Sequence, residues 1–315
     1  MNKFVGPALS VLLFLCFLGF FGWAFYAETQ PDKISADIAV VVYGGENSGR
    51  WKSLEQGIGQ ACSELGIEKP VLVLARTDDP GNQSRLLRRE VENGAQGLLV
   101  TVGDNSLSAY IDEISGNIPV VALESGGGDV PCISADNALM GREMADRAAA
   151  HTGNIAVLAE GLSRSSISAR FDAFMERMNE LDRPVTVIAR EGGGDDLKAF
   201  IASSLANNRL NLEALVVLDN ETLEVAIDAA PASMVEVSLY GIGNSSKVVH
   251  ALDQGIVDEI LFQNEYAIGY IGTMTLAEKM GLAGPAEPME IQYSFVRREN
   301  MYDPVNERLL FPIIQ

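Results

Sequence analysis

The sequence predicts an α/β fold in two similar halves, each a doubly wound parallel sheet. Two observations carry this: short, continuous apolar runs alternate with amphipathic stretches, and the alternation starts over near the middle of the chain. A third, an uncharged run at the amino end, places one transmembrane helix ahead of both halves.

That run reads FVGPALSVLLFLCFLGFFGWAFY, residues 4–26, with no charge between Lys3 and Glu28. A bilayer core takes roughly 20 apolar helical residues, so the stretch is long enough to span with some tilt. Trp23, Phe25 and Tyr26 cluster at its outer end, where amphipathic rings favour the headgroup level. Its apolar core is longer than that of a secretory peptide, and Phe25 stands before Ala27 with no small-x-small cleavage pattern. Cys16 lies mid-span, without the small residues expected before a lipid-modified cysteine. We read an uncleaved single-pass anchor in the cell membrane. Lys3 and the amino group favour the inside, leaving an extracytoplasmic body.

The chain holds 23 Lys and Arg against 43 Asp and Glu among 315 residues, a formal charge of −20. Such a charge repels nucleic acid and anionic lipid headgroups. Outside the anchor the cysteines are Cys62 and Cys132, read as two small core residues with no spacing that demands a bridge.

In the first half, IAVVVY (38–43), VLVLA (71–75), GLLVTV (97–102) and IPVVAL (118–123) are β-rich runs of the kind buried on both faces of a parallel sheet. SLEQGIGQACSEL (53–65) places Leu54, Ile58, Ala61, Cys62 and Leu65 on one helical face, and NQSRLLRREVENG (82–94) ends on a helix-stopping glycine. VPCISADNALMG (130–141) marks the break, with Asp136 as a helix cap. The rhythm then repeats with NIAVLAE (154–160), VTVIAR (185–190), ALVVLD (214–219) and VSLYGI (237–242), and with helices near 164–181, 195–206, 221–230 and 245–254. A further strand, DEILFQ (258–263), precedes a long helix over 265–281 and an extended tail ending in LLFPIIQ.

The loop after the first strand, YGGENSGRWKS, imitates a phosphate-binding loop, with four residues between Gly44 and Gly49. Such a loop needs a Lys and then a Ser or Thr hydroxyl to reach phosphate and magnesium. Arg50 and Trp51 stand at those places, and an indole cannot hold magnesium.

ISADNALMGREMAD (133–146), ARFDAFMERM (169–178) and GIVDEILFQNEYAIGYIG (255–272) together resemble the type I periplasmic binding proteins, in particular the ribose-binding branch that also supplies the effector domains of lactose-repressor-type regulators. The resemblance covers nearly all of residues 36–300 and implies two lobes joined by a three-strand hinge, a periplasmic-binding-protein-like I fold. Carried over, the first lobe takes residues 37–134 with 264–286, and the second 135–263 with 287–315.

Ligands of open α/β sheets sit beyond the carboxyl ends of the strands, which both lobes would aim at one shared cleft. The opening loop then lines that cleft, with Asn47 and Trp51 facing the ligand; Trp51 has both stacking and packing open to it. The resemblance places Arg170, Asn220 and Gln263 at ligand-contact positions, against which stand the simpler roles of solvated arginine, helix cap and strand-end amide. Two positions depart from the sugar-binding pattern. Glu124 and Ser125 replace an Asp-Arg pair, and Gly243 followed by Asn244 replaces an Asp. Glu124, Asp104, Asn105 and Asn244 form a different polar set, which admits an amine-bearing solute beside the neutral sugar the resemblance implies.

No catalytic constellation emerges. His151 and His250 are read as surface residues, GLSRSS lacks the second glycine of a nucleophile elbow, and the DD pairs at 78–79 and 195–196 read as helix-start charges. No cofactor or metal is expected, and the ectodomain is expected to be monomeric. A membrane span stands where a DNA-reading relative would carry a helix-turn-helix. The expected function is capture of a small polar solute for an ABC permease, against two alternatives: sensing for a membrane kinase, or a ligand-free docking scaffold.

Overall fold

The computed structural model describes residues 36–44, 51–76, 81–189, 196–206, 211–229, 237–285 and 289–310. The sequence-predicted span at 4–26, Asn47 and the acidic pair at 78–79 lie outside the described residues. Among those residues no helix is long and apolar enough to cross a membrane.

The first sheet is built from β1 (Ile38–Tyr43), β2 (Leu72–Ala75), β3 (Gly97–Val100), β4 (Val120–Leu123) and β5 (Cys132–Ile133), in the order β2-β1-β3-β4-β5 with every pairing parallel. The second holds β6 (Asn154–Leu158), β7 (Val185–Ile188), β8 (Leu212–Val217), β9 (Ser238–Ile242), β10 (Glu259–Gln263) and β11 (Tyr293–Arg297), ordered β11-β10-β9-β8-β6-β7. Buried side chains on successive residues, such as Val40, Val41 and Val42, show why these strands read as unbroken apolar runs: both faces are covered.

Helices α1 (Lys52–Leu65), α2 (Asn82–Glu92) and α3 (Ser108–Ser115) belong to the first half. Helices α4 (Asn137–Ala148), α5 (Ser165–Glu180), α6 (Leu197–Ala206), α7 (Asn220–Ala229) and α8 (Ser246–Asp253) follow in the second. Asp136 caps α4 by accepting the Leu139 N–H at 2.8 Å, and Asp196 accepts the Ala199 N–H at 2.9 Å at the start of α6. After β10 the chain returns to the first sheet as α9 (Glu265–Lys279), which packs on α1, then crosses back as β11.

Three expectations need correction. The carboxyl tail is not extended throughout: β11 pairs antiparallel with β10, making that sheet mixed, and Pro304 opens a helix, α10 (Pro304–Leu310). A strand returning from the neighbouring lobe needs no crossover helix on its own sheet, so it can run antiparallel at the edge. Cys62 is buried as expected but Cys132 is exposed, on the two-residue edge strand β5; both are free. His151 is half-buried, 2.9 Å from the Tyr240 hydroxyl, whereas His250 is exposed.

Two glycines set the spacing between α1 and α9. A Cβ at Gly57 would lie 2.0 Å from the Tyr266 carbonyl oxygen, and one at Gly269 would lie 2.2 Å from that of Leu54. The helices therefore meet backbone to backbone, where no side chain can swing away. Gly57→Ala is expected to destabilise the protein by about 1–3 kcal/mol through overpacking, read as a lower denaturant midpoint with an unchanged slope.

Candidate functional site

Doubly wound sheets carry their ligand crevice where the strand order reverses. In the first sheet that point lies between β1 and β3, and in the second between β6 and β8. The loops leaving these four strands bring together Tyr43, Asp104, Arg164 and the pair Asp219 and Glu221.

On the first side, Gln83 of α2 shapes the loop after β3. Its amide donates to the Thr101 carbonyl at 2.6 Å and accepts the Gly103 N–H at 2.9 Å, while Thr101 Oγ1 accepts the Tyr43 N–H at 2.6 Å. Asp104 then accepts the Ser106 N–H at 2.7 Å. Burial tends to raise its carboxyl, but hydrogen bonds from Ser106 and Ser163 outweigh it and hold the group below the usual range.

On the second side, Arg164 is 8% exposed and lies among carboxylates. Its guanidinium donates to Asp219 at 3.1 Å and to Glu221 at 3.2 Å, and its central carbon sits 5.6 Å from the centre of the Tyr43 ring. Burial pushes the Asp219 carboxyl up; Arg164 opposes this and Glu221 reinforces it. Burial likewise raises the Tyr43 phenol, against the pull of Arg164 and with help from Glu221, Asp104 and Asp219.

A second guanidinium lies on α5. Arg170 is 2% exposed; it donates to Asn137 at 2.8 Å and to the Leu218 carbonyl at 3.1 Å, and stands 3.8 Å from Glu124. Glu124 itself is 6% exposed with φ at +62°, and the Ser125 N–H closes onto the Leu123 carbonyl at 2.6 Å around it. That is a γ-turn centred on a non-glycine residue, a strained conformation that surrounding structure must hold. Its placement turns the Glu124 side chain to within ion-pair reach of Arg170.

The remaining sequence candidates separate. Gln263, 5% exposed, ends β10, and its Oε1 has no hydrogen-bond partner among the described residues. Trp51 is 6% exposed and joins the apolar cluster of Val42, Leu54 and Ile58, with Nε1 3.1 Å from where a Gly44 Cβ would stand. Asn220 holds loops together: its Oδ1 accepts the N–H groups of Asn244 and Ser245 at 3.2 and 3.1 Å, and its amide donates to Glu224 at 2.9 Å. Those bonds tie the loop after β8 to the loop after β9. Asn105 has an exposed side chain, and its N–H donates to the Ser163 carbonyl at 2.8 Å.

Sequence reasoning passed over Tyr43, Arg164, Asp219 and Glu221. Arg164 and Ser165 sit inside GLSRSS, which lacks the second glycine of a nucleophile elbow; Asp219 immediately precedes Asn220 in VLDNET. The signal that finds them is position alone, at or within six residues of the carboxyl ends of β1, β6 and β8. Among the described residues no group of three or more His, Cys, Asp or Glu side chains could hold a metal ion.

Two parallel-sheet lobes with buried polar groups at facing switch points define a solute-binding protein. The chain belongs to the periplasmic binding proteins: the family model for the periplasmic binding protein domain matches residues 38–283. No curated protein matches the sequence. Solved structures share the fold. A carbohydrate transporter solute-binding protein from Agrobacterium radiobacter, in complex with D-arabinose, is 18% identical with a TM-score of 0.76, covering 87% of this chain and 99% of its own. GanP, a glucose-galactose binding protein from Geobacillus stearothermophilus, is 17% identical with a TM-score of 0.73, covering 85% and 99%. A chain of the XylFII-LytSN complex is 16% identical with a TM-score of 0.70, again covering 85% and 99%.

Removing Arg170 leaves Glu124 buried without its cation, so Arg170→Met is expected to lower stability by about 3–5 kcal/mol, and adding Glu124→Gln should restore part of the loss in urea unfolding. Asp219 gives a pH signature. Because its folded pKa is raised, its contribution to stability is fully present below the unfolded value of about 3.9 and is lost as pH rises through the folded one. Asp219→Asn has no proton to lose there, so its melting temperature should gain on the wild type as pH rises from 4 to 7.

Proposed function

We propose that the protein is an extracytoplasmic solute-binding protein, tethered by residues 4–26, that captures a small polar solute between its lobes and presents it to an ABC permease. The observation that carries this reading is the facing pair of switch points, lined from both lobes by Tyr43, Asp104, Glu124, Arg164, Arg170 and Asp219. Membership in the periplasmic binding proteins supports capture without chemical change, and the sugars named for the two similar structures support a sugar-like solute.

The charges narrow the class. Each buried guanidinium already faces carboxylate: Arg164 meets Asp219 and Glu221, and Arg170 meets Glu124. An anionic solute would add charge to a cleft that holds more acid than base, and its desolvation would go uncompensated. Hydroxyl or ammonium donors instead suit the carboxylates and the Gln263 oxygen, so neutral and amine-bearing sugars are the favoured solutes. In this reading Glu124 is the counter-charge for an amine, Asn47 a rim contact and Trp51 a packed wall of the cleft.

The likeness to a chain solved in the XylFII-LytSN complex favours a second reading, in which the closed lobes dock on a membrane sensor kinase.

The test is a melting series of the purified chain with D-arabinose, D-galactose, D-galactosamine and D-galacturonate. At a hundredfold excess over its Kd a bound sugar contributes about 2.7 kcal/mol, enough to raise the midpoint measurably. At least one neutral or amino sugar should raise it while D-galacturonate does not. Stabilisation by the acid alone would overturn the charge argument, and no response to any of the four would overturn sugar capture.

A further inference from the structure

A short tether limits which face of a lobe can meet the membrane that holds it. The described chain begins at Ala36, 9% exposed, and enters the first sheet at the amino end of β1. The cleft lies beyond the other end. β1 rises about 3.3 Å per residue over its six residues, so about 20 Å of strand separates the point of entry from the ligand side.

Every strand of the first sheet starts on the entry edge, and α1, α2 and α3 end there. Val71, just before β2, is 83% exposed, the most exposed large apolar side chain among the described residues. Half-buried Pro70, Ile118, Pro119 and Pro131 stand in the same row of turns. Two crevices open on this edge, one of about 290 Å³ bordered by Ala36 and Lys69, and one of about 350 Å³ bordered by Ile118, Asp129 and Lys279.

The charges of the edge are mixed. Lys69 and Lys279 stand among Asp37, Glu68 and Asp129, all exposed, and Lys69 already holds Glu55 at 2.7 Å. The excess of carboxylate repels an anionic surface, whereas a zwitterionic headgroup offers an ammonium to the acids and a phosphate to the lysines.

Reach then selects the orientation. Nine residues, 27–35, stand between the apolar run and Ala36, and at 3.3–3.6 Å each they span at most about 30 Å. Turning the molecule over would put two lobes, each about 30 Å across, between this edge and the lipid, about twice that reach. Laying it on its side would leave Val71 and its apolar neighbours in water.

We propose that the amino-end edge of the first sheet rests on a zwitterionic lipid surface, with Val71 at the headgroup level, so that the first lobe is the fixed one and the cleft opens into solution. This deepens the solute-binding reading and rests on its anchor at residues 4–26, but not on the identity of the solute. Solute then reaches the cleft without crossing a lipid face, and movement of the lobes is carried by the second.

Quenching by lipid tests the placement. In the full chain carrying Cys16→Ala, Cys62→Ala and Cys132→Ser, single cysteines are introduced as Val71→Cys, Asn117→Cys, Leu162→Cys and Val305→Cys. Each is labelled with bimane and reconstituted in phosphatidylcholine vesicles that contain nitroxide-headgroup phosphatidylcholine. Leu162, 36% exposed, follows β6 on the cleft side, and Val305, 68% exposed, lies on the second lobe. The labels replacing Val71 and Asn117 should lose fluorescence as the nitroxide fraction rises, while those replacing Leu162 and Val305 keep it. Melting midpoints matching the unlabelled chain show that each variant is folded. Equal loss at Leu162 or Val305, or none at Val71, overturns the placement. Replacing part of the phosphatidylcholine by phosphatidylglycerol should reduce the loss at Val71; a greater loss overturns the zwitterionic assignment. A chain that fails to float with the vesicles overturns anchor and placement together and leaves sugar capture intact. The expected quenching in a chain that answers to no sugar does the reverse.

Discussion

Two buried guanidinium groups, Arg164 and Arg170, hold the carboxylates of Asp219, Glu221 and Glu124 where the two lobes face each other. A buried cation is tolerable only with carboxylate and carbonyl groups in reach. Arg164 therefore draws Asp219 and Glu221 to the carboxyl ends of the second sheet. Arg170 takes Asn137, the Leu218 carbonyl and, across the lobes, Glu124. The strained γ-turn at Glu124 is the local consequence, since an unstrained exit from β4 would aim that side chain elsewhere.

The parallel sheets make such a concentration of charge possible. Right-handed crossovers place the loop after each parallel strand on the same edge, so groups far apart in sequence converge without any of them lying in a contiguous motif. Closely packed helix pairs then stiffen the two edges. Gly57 and Gly269 let α1 and α9 touch, and Gly141 does the same for α4 and α5, where a Cβ would meet the Arg170 carbonyl oxygen at 2.2 Å. The last contact ties the backbone that carries Arg170 to the helix that begins just beyond β5, near the crossing between the lobes.

The alternation of strands and helices was legible in the sequence because apolar periodicity is a local property. Strand and helix ends shifted by at most two residues, as where the run GLLVTV leaves the sheet at Val100 so that Thr101 can bond Tyr43 and Gln83. The tail was misread: Tyr293–Arg297 and Pro304–Leu310 are both too short for a decisive pattern, and pairing with β10 settles the direction of the strand. Arg170, Glu124 and Gln263 stood out by type and motif, and the folded chain buries all three. Only the folded chain shows that the Asn220 carbonyl oxygen accepts from Asn244 and Ser245 while its neighbour Asp219 holds Arg164.

Composition, period and motif by themselves determined that this is an acidic chain of two repeating α/β halves with an apolar leading segment. Each of those properties is written within a few dozen consecutive residues. Tertiary structure alone decided which charges neutralise each other, that Arg164 lies over the Tyr43 ring, and that Ser165 bonds Gly126 on the other lobe. These partners stand 39 to more than 100 positions apart, and only the winding of the sheets brings them within reach.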